Sequence, residues 1–284
     1  MLVIIKGAGD LASGIAVRLF HAGFDIAMTE IAAPLAVRRT VSFSQAVYEG
    51  RAQVEDISAV LVQDEAEMRK AFDRKQIAVF VDPAAVIVKQ LKPAALIDAI
   101  MAKKNTGTSI DDAPTVIGIG PGFTAGLDCH AVIETMRGHS LGRVITEGSA
   151  IPNTGVPGDI GGYTLERLLR ANADGIFEVK AEIGMVVKKG DVVALVKCAG
   201  NGSVIAANGD AVPVCAGIDG IVRGLLPSGI TVKRGMKAGD IDPRCERSHC
   251  FTVSDKALAI GGGVLEALLR RNPYPLRFSP VPRC

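Results

Sequence analysis

Two stretches decide how this chain is read: VIIKGAGDLASG at residues 3–14 and VIGIGPGFTAG at residues 116–126. Each is an apolar run followed by Gly-x-Gly-x-x-Ala, carried by Gly7, Gly9 and Ala12 in the first and by Gly120, Gly122 and Ala125 in the second. The first has further support. LVIIK reads as a strand buried on both faces, and DLASGIAVRLFHAG has apolar residues at helical spacing (Leu11, Ile15, Leu19) and stops at Gly23. FDIAMTE is a second strand ending on Glu30, about 20 residues after the turn. Strand, glycine turn, helix, strand and acid is the order of a dinucleotide-binding unit. Gly7 permits the sharp turn and Gly9 lets a phosphate approach the helix N-terminus, while Glu30 is placed to read a ribose or pterin edge. Asp10 is at odds with this, because a carboxylate beside that N-terminus repels a phosphate.

The second turn is more rigid. Pro121 fixes one backbone angle and removes an amide donor, which weakens it as a phosphate cradle. Its expected place is still the carboxyl edge of a sheet, beside Asp82 in FVDP and Asp98 in LIDA. Both turns are therefore expected to face one crevice. Behind the second turn, GLDCHAVIETMRGHSLGR holds the densest chemical constellation. Read as a helix, it sets His130 and Glu134 one turn apart on one face, with Arg137 and His139 close by. These four residues are the candidates for proton transfer or anion binding, and a His–carboxylate pair suits a general base with its orienter. Cys129 is a candidate nucleophile or sulfur acceptor if a helix start lowers its pKa.

Composition bounds the rest. Aromatics make up 4% of the 284 residues and Gly supplies 32, so the core must be built from small aliphatic side chains between tight turns, as in α/β proteins. A net charge of +2 gives no broad basic surface and no electrostatic support for nucleic-acid binding. No apolar run approaches the length that spans a bilayer, and LVIIKGAG does not read as a signal peptide, so the six scattered cysteines are expected as reduced thiols in the cytoplasm. Cys245, His249 and Cys250 sit together in CERSHC, but the second ligand pair of a structural zinc site is missing and no metal is assigned.

From about Ala173 the texture changes to short β runs. The turn Val187-Lys188-Lys189-Gly190-Asp191 is echoed by Val232-Lys233-Arg234-Gly235, with Gly239-Asp240 following. This turn pattern resembles lipoyl-like barrel-sandwich modules. The tip segment CAGNGSVIAANGD has no lysine and SDKA (residues 254–257) lies after the repeat, so neither a lipoyl nor a biotinyl group is expected. The GGG at 261–263 weakens a continuous helix or marks a third close-approach turn, and the tail PYPLRFSPVPRC is too rich in proline for regular structure. The expected architecture is α/β, a Rossmann-like, mostly parallel sheet over residues 1–172 with a barrel-sandwich-like module inserted at 173–245. A C-terminal helix and tail, 246–284, are expected to pack back on the first part.

KGAGDLASGIAVRLFHAGF, AAPLAVRRTVSFSQAVYEG, GIGPGFTAGLDCHAVIETMRGHSLGRVI, MKAGDIDPR and SDKALAIGGGVLEALL resemble the YqeB family over nearly the whole chain. That family is described as accessory to selenium-dependent molybdenum hydroxylases and is more distantly similar to the XdhC accessory proteins of xanthine dehydrogenase. The resemblance implies a maturation factor that binds molybdenum cofactor, or a related pterin or nucleotide. Its motifs carry over Gly7, Gly9, Asp10, Gly120, Gly122, His130, Glu134, Arg137, Gly138 and His139, and Glu30 and Asp82 join the cofactor-binding set from their places at strand ends. It implies the apo-hydroxylase and selenium or sulfur donor proteins as partners, and homo-oligomerisation is compatible with it. Two other readings stay open: an NAD-dependent oxidoreductase, and a non-catalytic adaptor that docks the hydroxylase through its β module.

Overall fold

The computed structural model describes residues 1–155, 158–198 and 211–271. The tip segment 199–210 and the tail 273–284, on which two of the sequence expectations bear, lie outside the described residues.

The chain opens with β1 (Leu2–Lys6), whose Val3, Ile4 and Ile5 are completely buried. The alternation of a strand sends Val3 and Ile5 into one core and Ile4 into another, so this apolar run is covered on both faces. Then follow α1 (Asp10–His21) and β2 (Asp25–Glu30). A short α2 (Ala46–Glu49) precedes the hairpin β3 (Arg51–Val54) and β4 (Ile57–Leu61). Next come α3 (Glu65–Asp73), β5 (Ile77–Val81), α4 (Ile87–Leu91), β6 (Ala95–Asp98) and β7 (Thr115–Ile119). A two-residue β8 (Thr124–Ala125) leads to β9 (Ala131–Ile133) and β10 (Val144–Ile145), and β11 (Gly148–Ser149) returns to pair with β8.

Nine of these strands form one sheet in the order β10-β9-β7-β6-β1-β2-β5-β4-β3. Its centre is parallel, but β3 pairs antiparallel with β4 at one margin and β10 antiparallel with β9 at the other. The parallel strands end along one edge, which collects Gly7, Glu30, Asp82, Asp98, Gly120 and Glu134.

Eight further strands make two four-stranded antiparallel sheets. β12 (Leu168–Arg170), β14 (Val186–Val187), β17 (Gly220–Leu225) and β19 (Lys237–Asp242) form one. β13 (Gly175–Val179), β15 (Val192–Lys197), β16 (Ala211–Cys215) and β18 (Thr231–Val232) form the other. Phe177, Val193, Val196, Val222, Val232 and Ile241 from both sheets share one core. The halves interlock: Asp174, before β13, accepts from the amide of Arg234 and pairs with Lys233, while Asp219, before β17, does the same for Lys189 and Lys188. Each Lys-rich turn seen in the sequence is thus held by the aspartate of the other half.

The expectation of one Rossmann-like sheet with an inserted barrel-sandwich module is corrected by this topology. The described residues form four sheets, and the largest is mixed. In a doubly wound fold a helix follows nearly every strand, yet among the described residues no α-helix lies between β6 and β10. Residues 99–114 carry no helical periodicity, and Pro121 with Gly122 turns the chain into the β8 ribbon. The face left bare is covered from the far end of the sequence by α5 (Asp255–Arg271), whose Ile260 and Val264 join Ile117 and Ile133 in one core.

The GGG expectation is corrected as well, because α5 runs unbroken through residues 261–263. Its glycines serve close approach. A Cβ on Gly14 of α1 would lie 2.5 Å from that of Ala257, and a Cβ on Gly263 would collide with the carbonyl of Gly142. The backbone entropy that glycine costs a helix is offset by the packing of α1 against α5. No helix among the described residues is long and apolar enough to cross a membrane.

Candidate functional site

At the carboxyl edge of the large sheet, Gly7, Gly9, Asp10, Glu30 and Asp82 line one crevice of about 450 Å³. Gly7 has φ +89° and its amide bonds the Thr29 carbonyl (2.8 Å), while Gly9 is the N-cap of α1 and has open space where a Cβ would stand. The first turn of α1 therefore leaves backbone amides and the positive end of the helix dipole facing the crevice. Leu11, Ile31, Leu35, Ile100 and Met101 give it apolar walls.

The Glu30 carboxylate is already engaged. It accepts from the amides of Ala8 (3.0 Å) and Ile31 (2.8 Å), tying the glycine turn to the end of β2. Asp82 accepts from the amide of Ile87 (2.9 Å). The oddity of Asp10 has an electrostatic answer: the Arg38 guanidinium stands 3.8 Å away. Behind the crevice, buried Lys6 and Asp98 pair at 3.1 Å, with Thr108 bonded to both.

A second cavity of about 760 Å³ adjoins the crevice, and Asp10, Leu11 and Met101 line both. Seven cations border it, Arg38, Lys103, Arg137, Arg167, Arg223, Lys237 and Lys256, against three carboxylates, Asp10, Asp159 and Asp240. Some of this charge is committed. Arg137 forms a bidentate pair with Asp255 (2.8 and 3.1 Å) and holds that carboxyl down at about 2. Arg167 pairs with Asp240 at 3.3 Å and Arg223 with Asp242 at 3.6 Å. Among the described residues Lys103, Lys237 and Lys256 have no such ion pair, and the buried Nε atoms of Arg38 and Arg167 have no hydrogen-bond partner. Burial, followed by the neighbouring Arg137, pushes the Lys256 ammonium below the usual lysine value. Buried guanidinium N–H groups without acceptors are costly, and here they sit beside a concave surplus of positive charge.

The second glycine turn is built differently. Gly120 and Gly122 have φ of +75° and +113°, but a Cβ on Gly120 would lie 2.7 Å from Thr135 Oγ1 and one on Gly122 2.7 Å from the Lys104 nitrogen. The turn is packed shut by its neighbours and leads into a two-residue strand, not a helix. Only Pro121 of it reaches the cationic cavity.

The helical reading of residues 129–138 is corrected too: His130 and Glu134 flank the strand β9. At about 3.3 Å per residue they lie ~13 Å apart, at opposite ends of the sheet. His130 accepts through Nδ1 from the Val116 amide (2.9 Å), beside a surface depression with Lys89 and Asp111. Glu134, 2% exposed, accepts from the amides of Thr135 and Met136 (both 2.7 Å) and Ile151 (2.8 Å). His139 is exposed. Cys129 is fully buried, and burial lifts its thiol to about 11, the opposite of the lowered value that the reactive role considered for it needs. Cys250 is buried with its thiol on the Val222 carbonyl, and no cluster of three His, Cys, Asp or Glu able to hold a metal occurs among the described residues.

Sequence reasoning thus missed the cations. Arg38, Lys103, Arg167, Arg223, Lys237 and Lys256 come from separate segments, and no local pattern in the sequence groups them.

Over 268 residues the chain is 51% identical to the uncharacterized protein YqeB of Escherichia coli strain K12, a match covering 94% of this chain and 47% of YqeB. The chain is a relative of YqeB. It spans about half the length of that protein. No protein-family model matches the chain. Solved structures that overlap with it include an aspartoacylase family protein from Mesorhizobium loti (12% identity, 84% of each chain, TM-score 0.27). Others are a succinylglutamate desuccinylase from Silicibacter sp. TM1040 (12%, 84% of each chain, TM-score 0.25) and the product-bound ectoine utilization protein EutE (DoeB) from Ruegeria pomeroyi (11%, 76% of this chain and 57% of that one, TM-score 0.24). At these scores the overlap carries no argument about fold or chemistry.

Proposed function

We propose that this relative of YqeB binds a phosphorylated pterin or nucleotide, in the manner of a molybdenum-cofactor accessory protein, in the crevice at the carboxyl edge of its large sheet. The observation that carries the reading is the convergence of Gly7, Gly9, Asp10, Glu30 and Asp82 on one crevice at the N-terminus of α1. The apolar walls suit a flat ring, and the amides of the helix start suit a phosphate. In this reading Glu30 and Glu134 position backbone, and Arg137 faces the anionic part of the ligand. The histidines stand outside it.

The partners, an apo-hydroxylase and its selenium or sulfur donors, follow only from the sequence resemblance and form part of the same proposal. An NAD-dependent oxidoreductase is the weaker reading, because the carboxylate expected to hold a ribose diol already accepts two backbone amides. Equilibrium titration of the full chain with molybdopterin and, separately, with NADH tests the choice. Saturable molybdopterin binding that is lost when Leu35, at the crevice wall, is replaced by Glu supports the proposal. Binding of NADH alone, with hydride transfer to an acceptor, overturns it.

A further inference from the structure

Resting on that reading, we propose that the cationic cavity beside the crevice anchors a second phosphate, so that the ligand is a ring compound carrying a diphosphate and not a monophosphate. The cavity opens from the crevice over Asp10, Leu11 and Met101, so one molecule can occupy both. Its charge exceeds what the fold itself consumes. Lys103, Lys237 and Lys256 lie on its wall without a carboxylate partner among the described residues. Arg38, only 7% exposed, gives two N–H groups to the carbonyls of His249 and Thr252 and leaves Nε with no acceptor. Arg167, 9% exposed, leaves its Nε in the same state.

Three ammonium groups without carboxylate partners on one concave wall, with two nearly buried guanidinium groups adding charge behind them, are what a multiply charged oxyanion would satisfy. The cations also come from the loop after β2, the loop after β6, the β-sandwich and the start of α5, so the cavity exists only where these parts meet.

The test is calorimetric, with the full chain at fixed ionic strength. The probes are guanosine 5′-monophosphate, guanosine 5′-diphosphate and inorganic pyrophosphate; guanine shares the amino-oxo-pyrimidine ring of a pterin. The diphosphate is expected to bind at least tenfold more tightly than the monophosphate, with a steeper salt dependence. Lys256→Met and Lys237→Met are each expected to weaken the diphosphate five- to tenfold and leave the monophosphate within twofold, and Lys256→Arg to restore it. Leu35→Glu, in the crevice, should weaken both nucleotides alike and spare pyrophosphate. Equal affinity for both nucleotides, or lysine variants that lower both in proportion, overturns the assignment while the crevice reading stands. If neither nucleotide nor pyrophosphate binds, the assignment falls; if pyrophosphate alone binds, the cavity stands and the crevice reading falls.

Discussion

The two Gly-x-Gly-x-x-Ala turns share a sequence pattern and little else. At Gly9 the backbone faces open space, while a Cβ on Gly7 would lie 3.1 Å from the Ala99 carbonyl oxygen; a helix begins here, and both glycines lie on a crevice wall. Around Gly120 and Gly122 the space is filled by Thr135 and Lys104, and the chain folds into a ribbon. Each turn region is braced by a glutamate at the end of a strand, yet the braces differ. Glu30 holds two amides at a solvent-facing edge, whereas Glu134 holds three in the interior. A glycine pattern therefore states that a side chain is not tolerated; it does not state whether ligand or protein takes the vacated space.

The sharpest contrast is kinetic. With its thiol at about 11, buried Cys129 beneath the second turn is about one part in a thousand thiolate at pH 8. Exposed Cys215 and Cys245 should be alkylated by iodoacetamide at least a hundredfold faster in the native protein, as read by peptide mass mapping. Comparable rates would mean that the second turn opens.

Next in size are the two braces. Glu134→Ala leaves three amides without their acceptor and should cost on the order of 4 kcal/mol in urea unfolding, against about 1–2 kcal/mol for Glu30→Ala. The reverse order would break the comparison. The glycines follow. Gly122→Ala combines a positive φ with a clash against Lys104 and should cost about 2–3 kcal/mol, while Gly9→Ala should stay within about 0.5 kcal/mol. A large stability loss at Gly9 would show that its openness is not real.

The smallest effect concerns Arg137 and Asp255, the pair that ties the loop after β9 to α5. Asp255 has its carboxyl depressed from 3.8 to about 2, first by the Arg137 hydrogen bond. A depressed carboxyl stabilises the fold above its unfolded pKa and loses that contribution as pH falls through the folded one. The melting temperature should drop between pH 4 and pH 2 by a degree or two more in the native protein than in Asp255→Asn. The effect is small because the carboxylate is largely exposed and screened.

How much was legible varied by segment. The run LVIIK, the helix behind it and the strand that ends on Glu30 are legible because strand and helix periods are local properties of consecutive residues. HAVIET misled because three apolar residues between polar ones fit a helix face or a buried strand equally, and only the neighbouring β7 decided for the strand. GGG misled because helix propensity disfavours it, while the packing of α1 and of Gly142 against α5 requires it. Of the cationic cavity only Arg137 was legible, as a candidate for anion binding; the other cations lie in separate segments and meet only through the fold.

By itself the sequence determined where β1, α1 and β2 form and that a glycine turn joins them, because hydrophobic period and backbone freedom act between near neighbours. The tertiary structure alone decided that the second glycine turn is closed, that Glu30 and Glu134 brace backbone, and that scattered arginines and lysines face one cavity. Those outcomes depend on which distant atoms occupy the space beside a residue, and chain-local chemistry carries no record of that.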